Sequence, residues 1–472
     1  MLQRQALGHG STAFCRLHTL RRQSTAHVHL FRSPCRTKAS IGAIPGTFHR
    51  TYTSVPEPVT QIEKILLDTI KATGPISYAT YMQMCLSHPT DGYYMKSSNH
   101  IFGARGDFIT SPEISQVFGE LVGVWFLSQW MLHGKSREIR LVELGPGRGT
   151  LMSDILRVMW QFPVARAAVK EVHLVETSAH LQAAQEASLR PMAERQGWEP
   201  RLSWHSSIDE IPHEREQFTI LVAHEFFDAL PFHLIEKTPH GWREVLIAQL
   251  PETASPTDTD SASASLDIPP RIGGRNSTKT RFRQVLSPTA TASATLLGLS
   301  SRRFEKLPVG SRIEISPAGF KIARKIGELV RTNEVAGADP AGCALIVDYG
   351  GEKAYGSSFR AFKEHQLVGV FHRPGECDLT VNVDFTYLKE AVAGLARPHG
   401  PVSQATFLTR MGLAPRVNSL IANAKSDDRK SEIQKAAQRL VDLTGMGSQY
   451  QIMGLTGLTP QDPTAEERWP FV

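Results

Sequence analysis

The sequence predicts an α/β fold: a mostly parallel sheet covered by helices, with an N-terminal helical segment before it and an insertion within it. Two observations carry that reading. From Ile139 onward, short apolar strands alternate with helical stretches. Between the first strand and its helix lies a glycine-rich turn, Glu143 to Thr150. The chain of 472 residues has room for more than one unit. Its 41% apolar and 21% charged residues exclude a wholly disordered chain. No apolar run reaches the roughly 18–20 residues of a membrane-spanning helix.

The net charge of +6 is unevenly spread. Eight basic residues and no acid precede Glu57, so everything after it is slightly negative. A basic balance confined to a leader argues against nucleic-acid binding, which needs a basic patch on the folded body. Residues 1–52 are rich in Arg, Ser, Thr and Ala and lack a secretory apolar core. That is the composition of a mitochondrial transit peptide, with removal expected between Arg50 and Ser54. Five scattered cysteines, none in a CxxC pair, fit a reducing interior. The histidines His224, His233 and His240 lack metal-site spacing, so no metal is expected.

Along the body, residues 57–135 form the N-terminal helical segment. Ile62, Ile65, Leu66 and Ile70 recur at helical spacing before Gly74-Pro75, and a second helix runs from Ser77 to Leu86. Residues 88–112 look like loop, and Glu113 to Leu132 is an apolar helix with Val117, Leu121, Val124 and Leu127 on one stripe. Residues 136–455 form the sheet domain. Its strands are 139–144, 171–176, 201–205 and 218–224, with helices over 150–160 and 178–190, the latter ended by Pro191. Residues 251–295, dominated by Ser, Thr, Pro, Ala and Asp, read as a disordered insertion. Order resumes with a strand at 311–315, a helix at 319–330 and a strand at 343–347.

The turn reads Glu143-Leu144-Gly145-Pro146-Gly147-Arg148-Gly149-Thr150. A dinucleotide fingerprint wants its third glycine at 150, where Thr stands, and no Gly-Lys-Ser/Thr follows, so a P-loop is excluded. An acid at the strand end followed by Gly-x-Gly-x-Gly is the pattern of S-adenosylmethionine-dependent methyltransferases. Its cofactor carries an ammonium and a sulfonium, which a carboxylate suits better than a bare helix N-terminus does. Glu143, Gly145, Gly147 and Gly149 are therefore candidate cofactor residues. Glu176, at the end of the second strand, is placed to accept both ribose hydroxyls. Ser206 to Asp209 should flank the adenine.

Several blocks together resemble the MidA-like family of mitochondrial protein arginine methyltransferases that act in respiratory complex I assembly. They are Ser77-Tyr78 with His88, Pro89, Gly92, Tyr93 and Tyr94; Gly106 to Glu120; the glycine loop; and Glu225-Phe226-Phe227-Asp228-Ala229-Leu230-Pro231. Asp348-Tyr349-Gly350, Arg360-Ala361-Phe362, His365-Gln366 and Pro374 to Asp384 complete the set. The resemblance spans residues 60–455 apart from the insertion, and the family's usual Asn before Glu225 is His224 here. It implies a Rossmann-like methyltransferase fold, S-adenosyl-L-methionine as cofactor, residence in the mitochondrial matrix, and symmetric dimethylation of an arginine on a core complex I subunit.

Methyl transfer to a guanidinium asks for a carboxylate pair that grips and orients the cation. Glu225 and Asp228, past the fourth strand, are the candidate catalytic pair. Asp228 reads equally as a cap of the turn before Pro231. Asp107 either closes over the cofactor or serves its turn, and Asp348 is a further acid at a strand end. Two other readings stay open: a non-catalytic, cofactor-binding assembly chaperone for complex I, and a methyltransferase acting on a small molecule.

Overall fold

The computed structural model describes residues 58–96, 109–135, 137–195, 197–198, 200–212, 216–251, 280–331, 341–459 and 462–472. The expected leader and Asp107 lie outside the described residues. Pro58–Val472 is one compact unit, so the N-terminal helical segment and the sheet domain share one body.

Helix α1, Gln61–Thr73, starts where the Thr60 hydroxyl accepts the Glu63 N–H and stops at Gly74, whose φ of 87° suits only glycine. Strand β1, Ile76–Ser77, leads into α2, Tyr78–Ser87, capped by Ser77. A one-turn helix α3, Ser111–Ile114, precedes α4, Gln116–His133, so the single expected helix is broken at Ser115, whose hydroxyl caps α4. Val124 faces outward, not along the buried stripe expected for it. The strand β2, Ile139–Leu144, is followed by α5, Thr150–Gln161, α6, Pro163–Ala168, β3, Val169–Val175, α7, Ala179–Arg195, β4, Arg201–His205, and β5, Phe218–His224. Pro191 lies inside α7 and does not end it. Pro191 is exposed, where water can satisfy the carbonyl its ring leaves unbonded.

Strands β6, His233–Thr238, β7, Gly241–Gln249, β8, Phe282–Leu286, and β9, Arg312–Ile315, join β1 in a five-stranded antiparallel sheet that the sequence reading missed. The stretch expected to be disordered to 295 is ordered from 280: β8 pairs with β7, Phe282 is buried, and Ala292–Gly298 is helical. One large apolar side chain among the polar residues suffices to anchor an edge strand. Strand β10, Gly342–Gly351, returns to the main sheet. The small strands β11, Arg360–Lys363, β12, Gln366–Val368, and β13, Asp378–Thr380, form a third sheet. After β14, Val383–Asp384, the strands β15, Ala396–Ser403, and β16, Tyr450–Gly457, close the main sheet.

The main sheet runs β15-β16-β10-β5-β2-β3-β4. Its β4, β3, β2, β5 and β10 are parallel, and β16 is antiparallel to β10. Both faces are covered, which explains the nearly continuous apolar runs of these strands. Leu141, Val172, Ile220 and Leu345 face α4 and α5; Val142, Leu221 and Ile346 face the helix Pro317–Val330. Strand order reverses between β2 and β5, so their carboxyl ends open the crevice where such sheets bind ligands.

Helix α4 lies close on α5 because Gly119 and Gly123 present no side chain there; a Cβ on Gly119 would meet the Asp154 Cβ at 2.4 Å. Gly119→Ala should therefore cost about 1–3 kcal/mol through overpacking, read as a lower urea midpoint at unchanged m. A midpoint equal to wild type would show that the two helices part freely.

Candidate active site

The cavity at the carboxyl ends of β2, β3 and β5 has a volume of about 470 Å³, within the usual range for a small-molecule site. Its floor is the glycine loop. Gly145, Gly147 and Gly149 take φ of 63°, 53° and 79°, the left-handed region open to glycine at little cost. Gly145 N–H is tied to Val175 O at 3.0 Å and Gly149 N–H to Pro146 O at 2.7 Å. Glu143, Gly145 and Gly147 line the cavity; Gly149 does not, and serves to start α5 beside Gln185.

Glu176, just past β3, also lines the cavity. Its Oε1 accepts the Ser178 N–H at 2.8 Å, and its Oε2 accepts from Gln185 Nε2 at 3.3 Å. The same Gln185 amide donates to Gly147 O at 2.8 Å and accepts from Trp204 Nε1 at 2.9 Å. One fully buried glutamine thus locks the glycine loop to the acid expected to hold the ribose. No sequence pattern marked it. Ser206, Ser207, Ile208 and Asp209 line the far end, where Lys321 bridges to Asp209 at 2.7 Å. Burial pushes the Glu143 carboxyl up to about 8, and raises that of Glu176 as well.

At the other end, β5 delivers Glu225 into the cavity with φ of 49°, a conformation costing a non-glycine residue about 1–3 kcal/mol. Asp348, fully buried in β10 just past its last pairing with β5, holds the loop in that shape. Its Oδ2 accepts the N–H groups of Phe226, Phe227 and Asp228 at 3.2, 2.9 and 3.3 Å. Asp348 is thus a support for the loop and not part of the cavity wall. Glu225 Oε1 accepts from the Tyr450 hydroxyl at 2.8 Å, and that hydroxyl lies 2.5 Å from the Tyr349 hydroxyl. The β10–β16 register sets Tyr349 directly opposite Tyr450.

Asp228 departs from its expected place. It is absent from the cavity wall, and its Oδ2 accepts from the Thr380 hydroxyl at 2.7 Å, so it braces the turn from behind. The other acid on the wall close enough to act on Glu225 is Glu113 of α3, and Tyr94 also lines the cavity. Both stand in the resembling blocks, but neither was singled out. His224 Nε2 sits 3.6 Å from Glu225 Oε1, and burial pushes the imidazole down to about 3, so it stays neutral. Burial drives the Glu225 carboxyl well above its ordinary range, and the charges of Asp228, Asp378 and Glu113 add to this. Among the described residues no cluster suits a metal ion.

A glycine-floored cavity at the switch point of a parallel sheet, acid-lined at both ends, defines a Rossmann-like methyltransferase. The comparisons agree. Residues 121–402 match the family described as "putative S-adenosyl-L-methionine-dependent methyltransferase", and the chain belongs to that family. It is 36% identical to the Rattus norvegicus protein named protein arginine methyltransferase NDUFAF7, mitochondrial, over 87% of this chain and 89% of that protein. The Homo sapiens protein of the same name is 35% identical over 88% of each chain. A Burkholderia thailandensis protein crystallised with S-adenosyl-homocysteine is 22% identical and superposes with a TM-score of 0.63, covering 87% of this chain and 94% of that one, which shows the shared fold.

The cofactor fits the donor set: the buried carboxyls of Glu143 and Glu176 face a cavity whose loop admits close approach of a ligand to backbone. Two outcomes follow. Gly147→Val, forced to φ near 53°, should abolish binding of S-adenosylmethionine in calorimetric titration. Retention of affinity within about twofold, roughly 0.4 kcal/mol, would put the ligand elsewhere. Second, a cationic ligand beside Glu143 stabilises its charged form, so binding near pH 7 should release protons and tighten as pH rises toward 8. Titrations in buffers of different ionisation enthalpy read that release; uptake of protons would contradict it.

Proposed function

We propose that this chain is an S-adenosylmethionine-dependent protein arginine N-methyltransferase of the mitochondrial matrix. It forms symmetric dimethylarginine on a core subunit of complex I, a modification needed for assembly of that complex. The observation that carries the reading is Glu225. A strained, buried carboxylate aimed into the reactive end of a cofactor cavity suits a cationic acceptor better than a neutral one. The names of the relatives, which give arginine methylation and mitochondria, support the same reading.

Glycine loop and acids would hold the cofactor, which supplies an electrophilic methyl on a sulfonium. The chain's own task is to bring a guanidinium nitrogen into line with it. Glu225, held by Tyr450 and by the Asp348-pinned loop, hydrogen-bonds the guanidinium and balances its charge. Phe226, packed over Gly145, walls the passage between the two ends. Its apolar surface excludes water and so strengthens the ion pair.

Glu225→Gln keeps the shape and loses the charge. Dimethylarginine on complex I subunits, read by mass spectrometry of cells carrying only this variant, should fall by about 30-fold or more, as loss of a desolvated charged partner costs about 2–5 kcal/mol. Assembled complex I should fall with it. Normal assembly without methylation would instead favour a chaperone, and normal methylation would show that Glu225 is not the grip.

A further inference from the structure

We propose that Glu225, Tyr450 and Tyr349 form a proton relay that carries away the proton released when an arginine is methylated; this rests on the arginine reading above and concerns the same site. The balance of the reaction demands such an exit. As the guanidinium nitrogen attacks, the new N–C bond forms and the S–C bond breaks, its electron pair going to sulfur. The nitrogen then carries one hydrogen too many. Since the guanidinium was already protonated at the start, a proton must leave before the product can be an ordinary methylguanidinium.

Glu225 is the first base that this proton meets. It lines the cavity, and burial, with the nearby charges of Asp228, Asp378 and Glu113, raises its affinity for a proton. His224, 3.6 Å away, is no alternative acceptor, since burial keeps it neutral to about pH 3. The route onward is read from hydrogen counting. Tyr450 hydroxyl lies within hydrogen-bond distance of both Glu225 Oε1, at 2.8 Å, and Tyr349 hydroxyl, at 2.5 Å, yet it has a single hydrogen to donate. With Glu225 ionised, Tyr349 donates to Tyr450 and Tyr450 donates to the carboxylate. With Glu225 protonated, the carboxyl donates to Tyr450 and Tyr450 donates to Tyr349. The two arrangements differ in the direction of the chain and by the one proton that has left its outer end, so passing that proton along needs no movement of heavy atoms.

Burial points the relay outward. Tyr450 is fully buried, Tyr349 is partly exposed, and neither belongs to the cavity wall. The relay therefore leads away from the cavity toward the more exposed of the two tyrosines, separate from the path of cofactor and substrate. The Arg360 guanidinium lies over the Tyr349 ring, 5.4 Å from its centroid. Its positive charge discourages a proton from lingering on the last hydroxyl.

Tyr349→Phe is the discriminating variant, because it removes the outer hydroxyl and keeps the bond from Tyr450 to Glu225. The assay uses tritiated S-adenosylmethionine and complex I subunits isolated from cells lacking the enzyme. Affinity for S-adenosylmethionine and KM for the protein substrate should stay within about twofold of wild type, which also certifies the fold. The kcat should drop about tenfold or more, and its solvent deuterium isotope effect should grow as proton departure becomes limiting. Tyr450→Phe should change kcat and isotope effect in the same sense. A kcat within twofold of wild type in Tyr349→Phe, or a lower kcat with an unchanged isotope effect, overturns the relay and leaves the arginine reading standing. Failure of the wild-type enzyme to form any methylarginine overturns both.

Discussion

The reactive half of this molecule depends on one carboxylate that never touches the cavity. Asp348, in β10 just past its last pairing with β5, gathers three successive backbone N–H groups from the loop after β5 and fixes Glu225 at a left-handed φ. Without that grip the loop would relax, since the conformation of Glu225 costs about 1–3 kcal/mol. Strand order explains why the grip is available. β10 lies beside β5 in the parallel sheet, Val347 paired with His224, so Asp348 arrives just below the turn it holds.

The same sheet order builds the other half of the site. β2 and β5 are neighbours, so the glycine loop and Glu225 face each other across the switch point. Gln185 couples the loop to Glu176 through its amide. The electrostatics follow from the packing. Glu225, Asp228, Asp348 and Asp378 are clustered with Arg360 as a nearby positive charge. Burying several carboxyls together in the absence of a ligand pushes protons onto some of them. A cation entering the cavity would favour the charged form of Glu225, the member of this cluster that stands on the cavity wall.

The sheet was legible in the sequence because its strands are buried on both faces and therefore read as apolar runs between helices. Glu143, Gly145, Gly147 and Glu176 were legible because they stand at fixed points on a strand–turn–helix unit. The antiparallel second sheet was not, because tertiary contacts alone set its pairings: the two-residue β1 joins β7 through Ile76 and Ile247, and β9, itself legible as a strand, joins β6 through Ile313 and Ile235. Of the two readings open for Asp228, the turn-bracing one prevails for a physical reason: three residues after Glu225, on a tight turn, its side chain points to the opposite side, toward Thr380. Tyr450 carried no local signal at all. It meets Glu225 from 225 residues away only because β16 pairs with β10 in one register.

Glu225 is a buried acid held ready for a cation: burial and neighbouring carboxyls raise its hold on a proton in the free enzyme, and an arriving cation lowers it. Infrared difference spectroscopy reads this directly, comparing the free enzyme with the enzyme holding S-adenosyl-homocysteine and an arginine peptide. The account predicts loss of a protonated carboxyl band on binding, a loss that shrinks by one group in Glu225→Gln. A difference spectrum without such a loss, or one identical in wild type and Glu225→Gln, would contradict it.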